Sequence, residues 1–283
     1  VESGIQIIGL IVPDVADTHF SKIAAGVAHV LQPKGYSVLI SNSEGNAAAE
    51  RHAIDLLLLC AQVNGLILAS AQPPEETAVF RRLEKHEVPY VLVDRDFSGV
   101  DAHCVAADDE EIGAVATEHL MARGCRHIAY IQGPETSASI ARLRGYMAAL
   151  GGHGLRAEKG YVARTGNDDR SGRAAMGKLL ALAPRVDGVL CFSDAIAVGA
   201  IKAILEAGLE VPDDIEIMGA GNVHYSDILR VPLSTIDLHS TTMGELAAQV
   251  LLEVLEHTEP RPATKVTVPF DLIARESSRH VPA

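Results

Sequence analysis

One pattern governs this chain: an apolar run, a polar turn, a stretch with helical spacing, a glycine, then another apolar run. Ile5 to Val12 (IQIIGLIV) opens it. A strand with one wet face alternates apolar and polar residues, so a run this continuously apolar suits a strand covered on both faces. After the turn Pro13–Asp17, the residues Ile23, Val27, Val30 and Leu31 recur along one helix face, and Gly35 ends that helix. Strand Tyr36–Ile40 comes next, then a helix carrying Ala53, Ile54, Leu57 and Leu58, and strand Gly65–Ala69. A helix opening at Pro73 and ending near His86 leads to strand Val88–Val93. The second half repeats the plan with helices Asp109–Arg123, Ile140–Leu150, Ser171–Leu182 and Asp194–Ala207. Between them lie strands His127–Gln132, Gly160–Ala163, Gly188–Phe192 and Ile215–Met218. Helix Thr242–His257 and strands 264–268 and 270–274 end the chain. This alternation predicts an α/β fold with parallel sheets and helices on both faces. The helix–glycine–strand units at 23–40, 112–132 and 196–218 look alike, which predicts two similar halves.

In such sheets ligands bind beyond the carboxyl ends of the strands. The stretches to watch are Asp14–Phe20, Ser70, Asp94–Arg95, Ser137–Arg142, Thr165–Asp169, Ser193–Asp194, Ala220–Asn222 and Asp237–His239. Gly219-Ala220-Gly221-Asn222-Val223-His224 imitates a dinucleotide fingerprint, but His224 stands where the third glycine belongs and Pro232 breaks the stretch where a long helix should run, so a tight turn is expected. There is no GxSxG elbow, no GxxxxGK[ST] loop, no HExxH and no CxxC pair. The expectation is therefore no catalytic site, no metal and no cofactor. Ser193 reads as a helix cap, and Asp108–Glu111 as an acidic run suited to a helix dipole. Asp94 is either part of a solvated turn or a carboxylate aimed at a hydroxylated or amine ligand. Phe20 is either core or a stacking wall. Arg142 falls in the first turn of a helix, where a cation opposes the dipole, so it calls for a carboxylate or a ligand as partner.

Charge narrows the partners. Lys and Arg number 24 against 37 for Asp and Glu, a formal net charge of -13. Gripping a phosphate backbone or an anionic membrane needs clustered cations, so neither is expected of this segment. The four scattered cysteines read as thiols in a reducing, cytoplasmic compartment, and no apolar run approaches a membrane span. The N-terminus shows no signal peptide, and Val1, with no Met before it, reads as a cut or processed end.

Several long stretches in order are similar to the effector-binding core of the lac repressor (LacI/GalR-type) family of bacterial transcription regulators. They are IGLIVPDVADTHF (8–20), VNGLIL (63–68), VPYVLVDR (88–95), ATEHLMARGCRHIAYIQGP (116–134), ARLRGYMAAL (141–150), GVLCFSDAIAVGAIKAILEAGLEVPDDIEIMG (188–219), PLSTID (232–237) and VPFDLIARESSR (268–279). The resemblance implies a periplasmic-binding-protein-like (type I) fold. Two Rossmann-like subdomains, 1–106 plus 240–268 and 107–239 plus 269–283, would be joined by three crossovers near 105–108, 237–240 and 268–270. It implies a homodimer that binds a small-molecule effector in the inter-subdomain cleft. Operator DNA would be held by a helix-turn-helix headpiece that this chain lacks and that would precede Val1. The ligand-facing positions carried over are Asp14, His19, Phe20, Ser70, Asp94, Arg142, Asn167, Ser193, Gly221 with Asn222, and Leu238. Ser193 stands where the family often has Asn, and Ala220, Gly221 and Asn222 stand where it usually has an aromatic and two Asp. Those groups pair with sugar hydroxyls, so the resemblance implies a less acidic, roomier site. Such a site suits a sugar-like ligand that is bulkier or partly anionic and paired with Arg142. The alternative with the same fold is a solute-binding protein feeding a transporter; the tail and EAGLEVPDDIEIMG favour the regulator.

Overall fold

The computed structural model describes residues 6–257 and 262–278. The expected strand start at Ile5, the processed end at Val1 and Arg279 of the tail motif lie outside the described residues. In chain order the elements are β1 (Gln6–Val12), α1 (Thr18–Leu31), β2 (Tyr36–Asn42), α2 (Ala47–Leu56), β3 (Gly65–Leu68), α3 (Ala78–Lys85), β4 (Tyr90–Val93) and β5 (His103–Ala107). Next come α4 (Asp109–Ala122), β6 (Ile128–Gln132), α5 (Ser137–Gly152), β7 (Val162–Arg164), α6 (Asp169–Leu179), β8 (Gly188–Cys191), α7 (Asp194–Glu206), β9 (Glu216–Ala220) and β10 (Ser234–Asp237). The chain ends with α8 (Ser240–Glu256), β11 (Lys265–Val268) and β12 (Asp271–Ile273).

These elements form two compact units, Val1–Ala107 with His239–Pro269, and Asp108–Leu238 with Phe270–Ala283. The sheet of unit 1 has the order β11-β5-β4-β3-β1-β2 and is parallel throughout. Ile8, Leu10 and Val12 of β1 pack with Ile23, Val27 and Leu31 of α1 and with Ala247 and Leu251 of α8. On the other face Ile11, Leu66 and Leu68 meet Ile54, Leu57, Phe80 and Leu83. The sheet of unit 2 has the order β12-β10-β9-β8-β6-β7. Ala129, Ile131 and Val189 face Met176, Ile196 and Ala200 of α6 and α7, whereas Tyr130 lies against Tyr146 of α5.

Four details differ from the sequence-based expectation. The edge strand β12 runs antiparallel to β10. The short strand β5, with no distinctive pattern, stands next to the edge of the first sheet, between β11 and β4. The helix expected from Pro73 begins only at Ala78, because a residue that precedes proline, as Pro73 does, is pushed away from helical backbone. Gly160, at φ +89, forms a turn, so its strand begins at Val162.

The helices pair by a single device. A Cβ placed on Gly26 of α1 would stand 2.1 Å from the Thr241 carbonyl oxygen, and one on Gly244 of α8 would stand 2.1 Å from that of Ile23. Gly113 of α4 meets the Arg142 oxygen at 2.1 Å, and Gly145 of α5 meets that of Glu110 at 1.9 Å. Gly172 of α6 and Gly199 of α7 meet the oxygens of Ile196 and Asp169 at 2.3 and 1.8 Å. In all three pairs, each glycine meets the carbonyl of the residue three before its partner glycine. No side chain fits there, so the two backbones touch directly. Gly113, Gly172, Gly199 and Gly244 lie in the first two turns of their helices, and Gly26 and Gly145 near the middle of theirs.

Candidate ligand site

In unit 1, Asp17 caps α1 by accepting the His19 N–H at 2.8 Å, which sets the His19 ring at the helix mouth. Its Nδ1 hydrogen-bonds Ser240 Oγ, the first residue of α8, at 2.8 Å, and its Nε2 meets Asp94 Oδ1 at 2.8 Å. Asp94 directly follows β4, in the left-handed backbone region at φ +68. Its other oxygen lies 3.5 Å from Arg95 Nε, and the Arg95 guanidinium stands over the Phe20 ring at 5.8 Å. Phe20 is itself buried. Arg95 Nη1 donates to the Ser70 carbonyl at 2.6 Å. Ser70, fully buried, donates its hydroxyl to Glu50 Oε1 at 2.7 Å. Glu50 also accepts from the Ala71 N–H and from Gln72 Nε2, so a carboxylate with no exposure is held by three donors. The structure thus joins His19, Phe20, Asp94 and Ser70 in one network through Arg95. Asp14 is exposed and accepts from the Ala16 N–H at 2.9 Å.

In unit 2, Arg142 is only 5 % exposed. Its Nε donates to Asp109 Oδ1 at 2.7 Å and its Nη1 to the Phe192 carbonyl at 2.7 Å, while the guanidinium stacks on the Phe192 ring at 4.6 Å. Asp109 sits in the first turn of α4, so the Gly113–Gly145 crossing brings the two charges together. The missing Cβ of Gly133 leaves room for that ring, since a Cβ there would meet Phe192 at 2.4 Å. Ser193 caps α7 and donates to Asn167 Oδ1 at 2.6 Å. Asn222 donates to Asp237 Oδ2 and accepts from Arg275 Nη2, each at 2.8 Å. Behind them Asp194, 1 % exposed, accepts from Thr235 Oγ1 at 2.6 Å and from the Val223 N–H at 2.9 Å. Gly221 has φ +128, and Leu238 is buried.

Sequence reasoning overlooked Glu50, Asp109, Phe192 and Arg275. The unfavourable place of Arg142 pointed to a partner, but the acidic run at 108–111 was already accounted for by the helix dipole. Glu50 and Arg275 carried no local signal. Burial pushes the Cys104 thiol up to about 12 and the Cys191 thiol well above its ordinary value. Among the described residues no group of three or more His, Cys, Asp or Glu is placed to hold a metal, and no helix is long and apolar enough to cross a membrane.

Comparison with known proteins bears on the fold and the family. The periplasmic binding protein-like domain family matches residues 117–278. The chain is 31% identical over 277 residues to the HTH-type transcriptional regulator GalR of Escherichia coli, covering 96% of this chain and 78% of that one. It is 29% identical to the HTH-type transcriptional repressor PurR of Glaesserella parasuis, over 97% of this chain and 82% of the other. Among solved structures, the transcription regulator GntR from Chromobacterium violaceum superposes with a TM-score of 0.86 at 28% identity, covering 96% of this chain and 99% of that one. A complex of the transcriptional regulator CelR with cellobiose superposes at 0.87 with 26% identity, covering 96% and 84%.

Proposed function

Because the chain belongs to the LacI/GalR-type family of transcription regulators, with its periplasmic-binding-protein-like core, we propose that a small effector is read at the strand ends of each unit, and that its binding modulates the grip on operator DNA. The chain is the effector-binding core of such a regulator, and its relatives are regulators rather than transporter-linked binding proteins or enzymes. The observation that carries the site reading is that, within each unit by itself, hydrogen-bonded polar side chains, buried or half-buried, gather just beyond strand ends: those of β1, β3 and β4 in unit 1, and those of β6, β7, β8 and β9 in unit 2. His19, Phe20, Ser70 and Asp94 serve unit 1, and Arg142, Asn167, Ser193 and Asn222 serve unit 2, with Asp14 at the rim. An effector that favours one state of the chain over another shifts their populations by its difference in affinity. The DNA itself is gripped by residues other than these, since a charge of -13 repels phosphates.

We further infer a homodimer in the cytoplasm. On unit 2, Val198, Ile201 and Leu205 of α7 and Leu229 and Val231 line an apolar groove of about 420 Å³, and the neighbouring Ile228 is 80% exposed. Two such surfaces facing each other would leave the water together. The cytoplasmic setting rests on unpaired cysteines, one exposed and three buried.

The test is a thermal-shift screen of sugars, sugar acids, nucleosides and purines, because a ligand of the folded state raises Tm. A hit whose affinity falls in His19→Ala and Ser193→Ala supports the assigned residues. A hit unaffected by both places the effector elsewhere. Sedimentation of Ile228→Glu, a change at an exposed position that leaves the core intact, is expected to show a monomer and tests the dimer surface.

A further inference from the structure

A buried polar cluster stands at the start of α5, and the protein leaves its hydrogen bonding incomplete. Successive side chains of a strand point to opposite faces, so Gln132 shares a face with Tyr130, the face that packs on α5 through Tyr146 at 5.7 Å. Gln132 is the last residue of β6, and α5 begins at Ser137. Gln132 therefore lies on the sheet face that α5 covers, at the end of β6 from which the chain runs to that helix. The side chain is 1 % exposed, yet its Oε1 has no partner. Ser137 Oγ, in the first turn, has none either. Ser139, fully buried, has its hydroxyl beside that of Tyr130. Buried polar groups are nearly always paired in native proteins. Several unpaired ones together at the carboxyl end of a strand mark a place that an outside group completes.

The chemistry of that group is set by its surroundings. Thr136 takes the N–H of Ser139 at 3.2 Å, while the N–H groups of Ser137 and Ala138, at the very start of the helix, have no intrahelical acceptor. The first turn of α5 holds no acidic residue, and a helix N-terminus favours negative charge. Hydroxyls of Ser137, Ser139 and Tyr130 can all donate. The Gln132 amide, rotated by half a turn, presents Nε2 in place of Oε1. One turn further on lies the guanidinium of Arg142, stacked on Phe192. We propose that this cluster is a subsite for an acidic group of the effector, a carboxylate or a phosphate, with Gln132 and Ser137 determining specificity. The inference rests on the effector-binding reading above and names the class of ligand for it.

Inorganic phosphate is the first probe. Titrated into the whole chain at constant ionic strength, with chloride as control, it is expected to raise Tm in the wild type. Ser137→Ala and Gln132→Glu should abolish the rise. Gln132→Leu separates binding from folding: it removes an unpaired buried atom, so the ligand-free Tm holds or rises, while phosphate affinity falls about tenfold, the loss of one hydrogen bond to a charged group. Glucose, gluconate and glucose 6-phosphate then distinguish neutral, carboxylate and phosphate ligands. A phosphate effect no larger than that of chloride, or one that survives Ser137→Ala and Gln132→Glu, overturns the subsite. So does a neutral effector bound equally by wild type and Gln132→Leu, although that result leaves the effector reading standing. If no compound in the wider screen binds, the effector reading falls, and the phosphate titration still decides the cluster by itself.

Discussion

Arg142 and Asp109 form a buried ion pair, both partners less than a tenth exposed, with N and O 2.7 Å apart. Such a pair adds little net stability, but breaking it strands a charge in the interior. Asp109→Ala is therefore expected to cost about 3–5 kcal/mol in urea denaturation, and the double variant Arg142→Met/Asp109→Leu distinctly less. Arg142→Ala should lose stability along with any ligand, so His19 and Ser193 are better probes of binding. His119 gives a second expectation. It donates to or accepts from Ser278 Oγ at 2.7 Å, and burial, helped by Arg123, holds its pKa below the ordinary 6.5. Below pH 6.5 the unfolded chain takes up a proton that the folded one resists, so stability falls as pH falls through that value toward the lower folded pKa. Above it the residue adds no slope. A Tm profile from pH 7.5 to about 5.5 should be flatter in His119→Gln. At this scale the sequence was legible where a residue broke a local rule, as Arg142 did in the first turn of a helix. It was silent where both local and distant explanations fit, as for Asp109, and where a residue such as Gln132 fills an ordinary strand position.

Among the elements, β1 announced itself by its unbroken apolar run and α1 by the spacing of Ile23, Val27 and Leu31, because burial on two faces or on one stripe leaves a mark in the sequence. β5 left none: its centre, Cys104 and Val105, is buried, but a short strand between loops has no period to show. The glycines were read as helix ends, which Gly35, Gly124 and Gly208 are. The six that pair the helices lie inside them, and their reason is a neighbour far off in the chain. Gly113→Ala would push a methyl to 2.1 Å from the Arg142 carbonyl oxygen, with an expected loss of about 1–3 kcal/mol or more. Because the same contact holds Arg142 against Asp109, the variant should also weaken effector binding. Gly177→Ala in α6, with no atom within 4 Å of the added carbon, should instead gain about 0.5–1 kcal/mol of helix propensity. Equal effects in the two variants would show that the crossing is not tight.

For the whole molecule, the decisive property is that neither unit is a continuous piece of chain. Unit 2 is built from 108–238 and then finished by residues that return from beyond unit 1. Ser277 donates to the Ile217 carbonyl at 2.7 Å and accepts from the Ser234 N–H at 2.8 Å, while Arg275 holds the Leu233 carbonyl at 2.7 Å. A fragment spanning 108–238 should therefore melt well below the whole chain, and a peptide of 269–278 added in trans should raise its Tm. An unchanged melting point would make the returning segment dispensable. Unit 1 has the same dependence in a sharper form. Its first helix lies against α8, and its sheet ends on β11, both made after all of 108–238. On the ribosome, the half that emerges first thus cannot close until the last sixth or so of the polypeptide is out. Through most of synthesis Ile23, Val27 and the β1 face stay uncovered, while unit 2 forms its strands behind them. That interval exposes apolar surface in the nascent chain, and it makes the end of translation the moment at which both halves are completed, unit 1 by His239–Pro269 and unit 2 directly after it by the segment that follows.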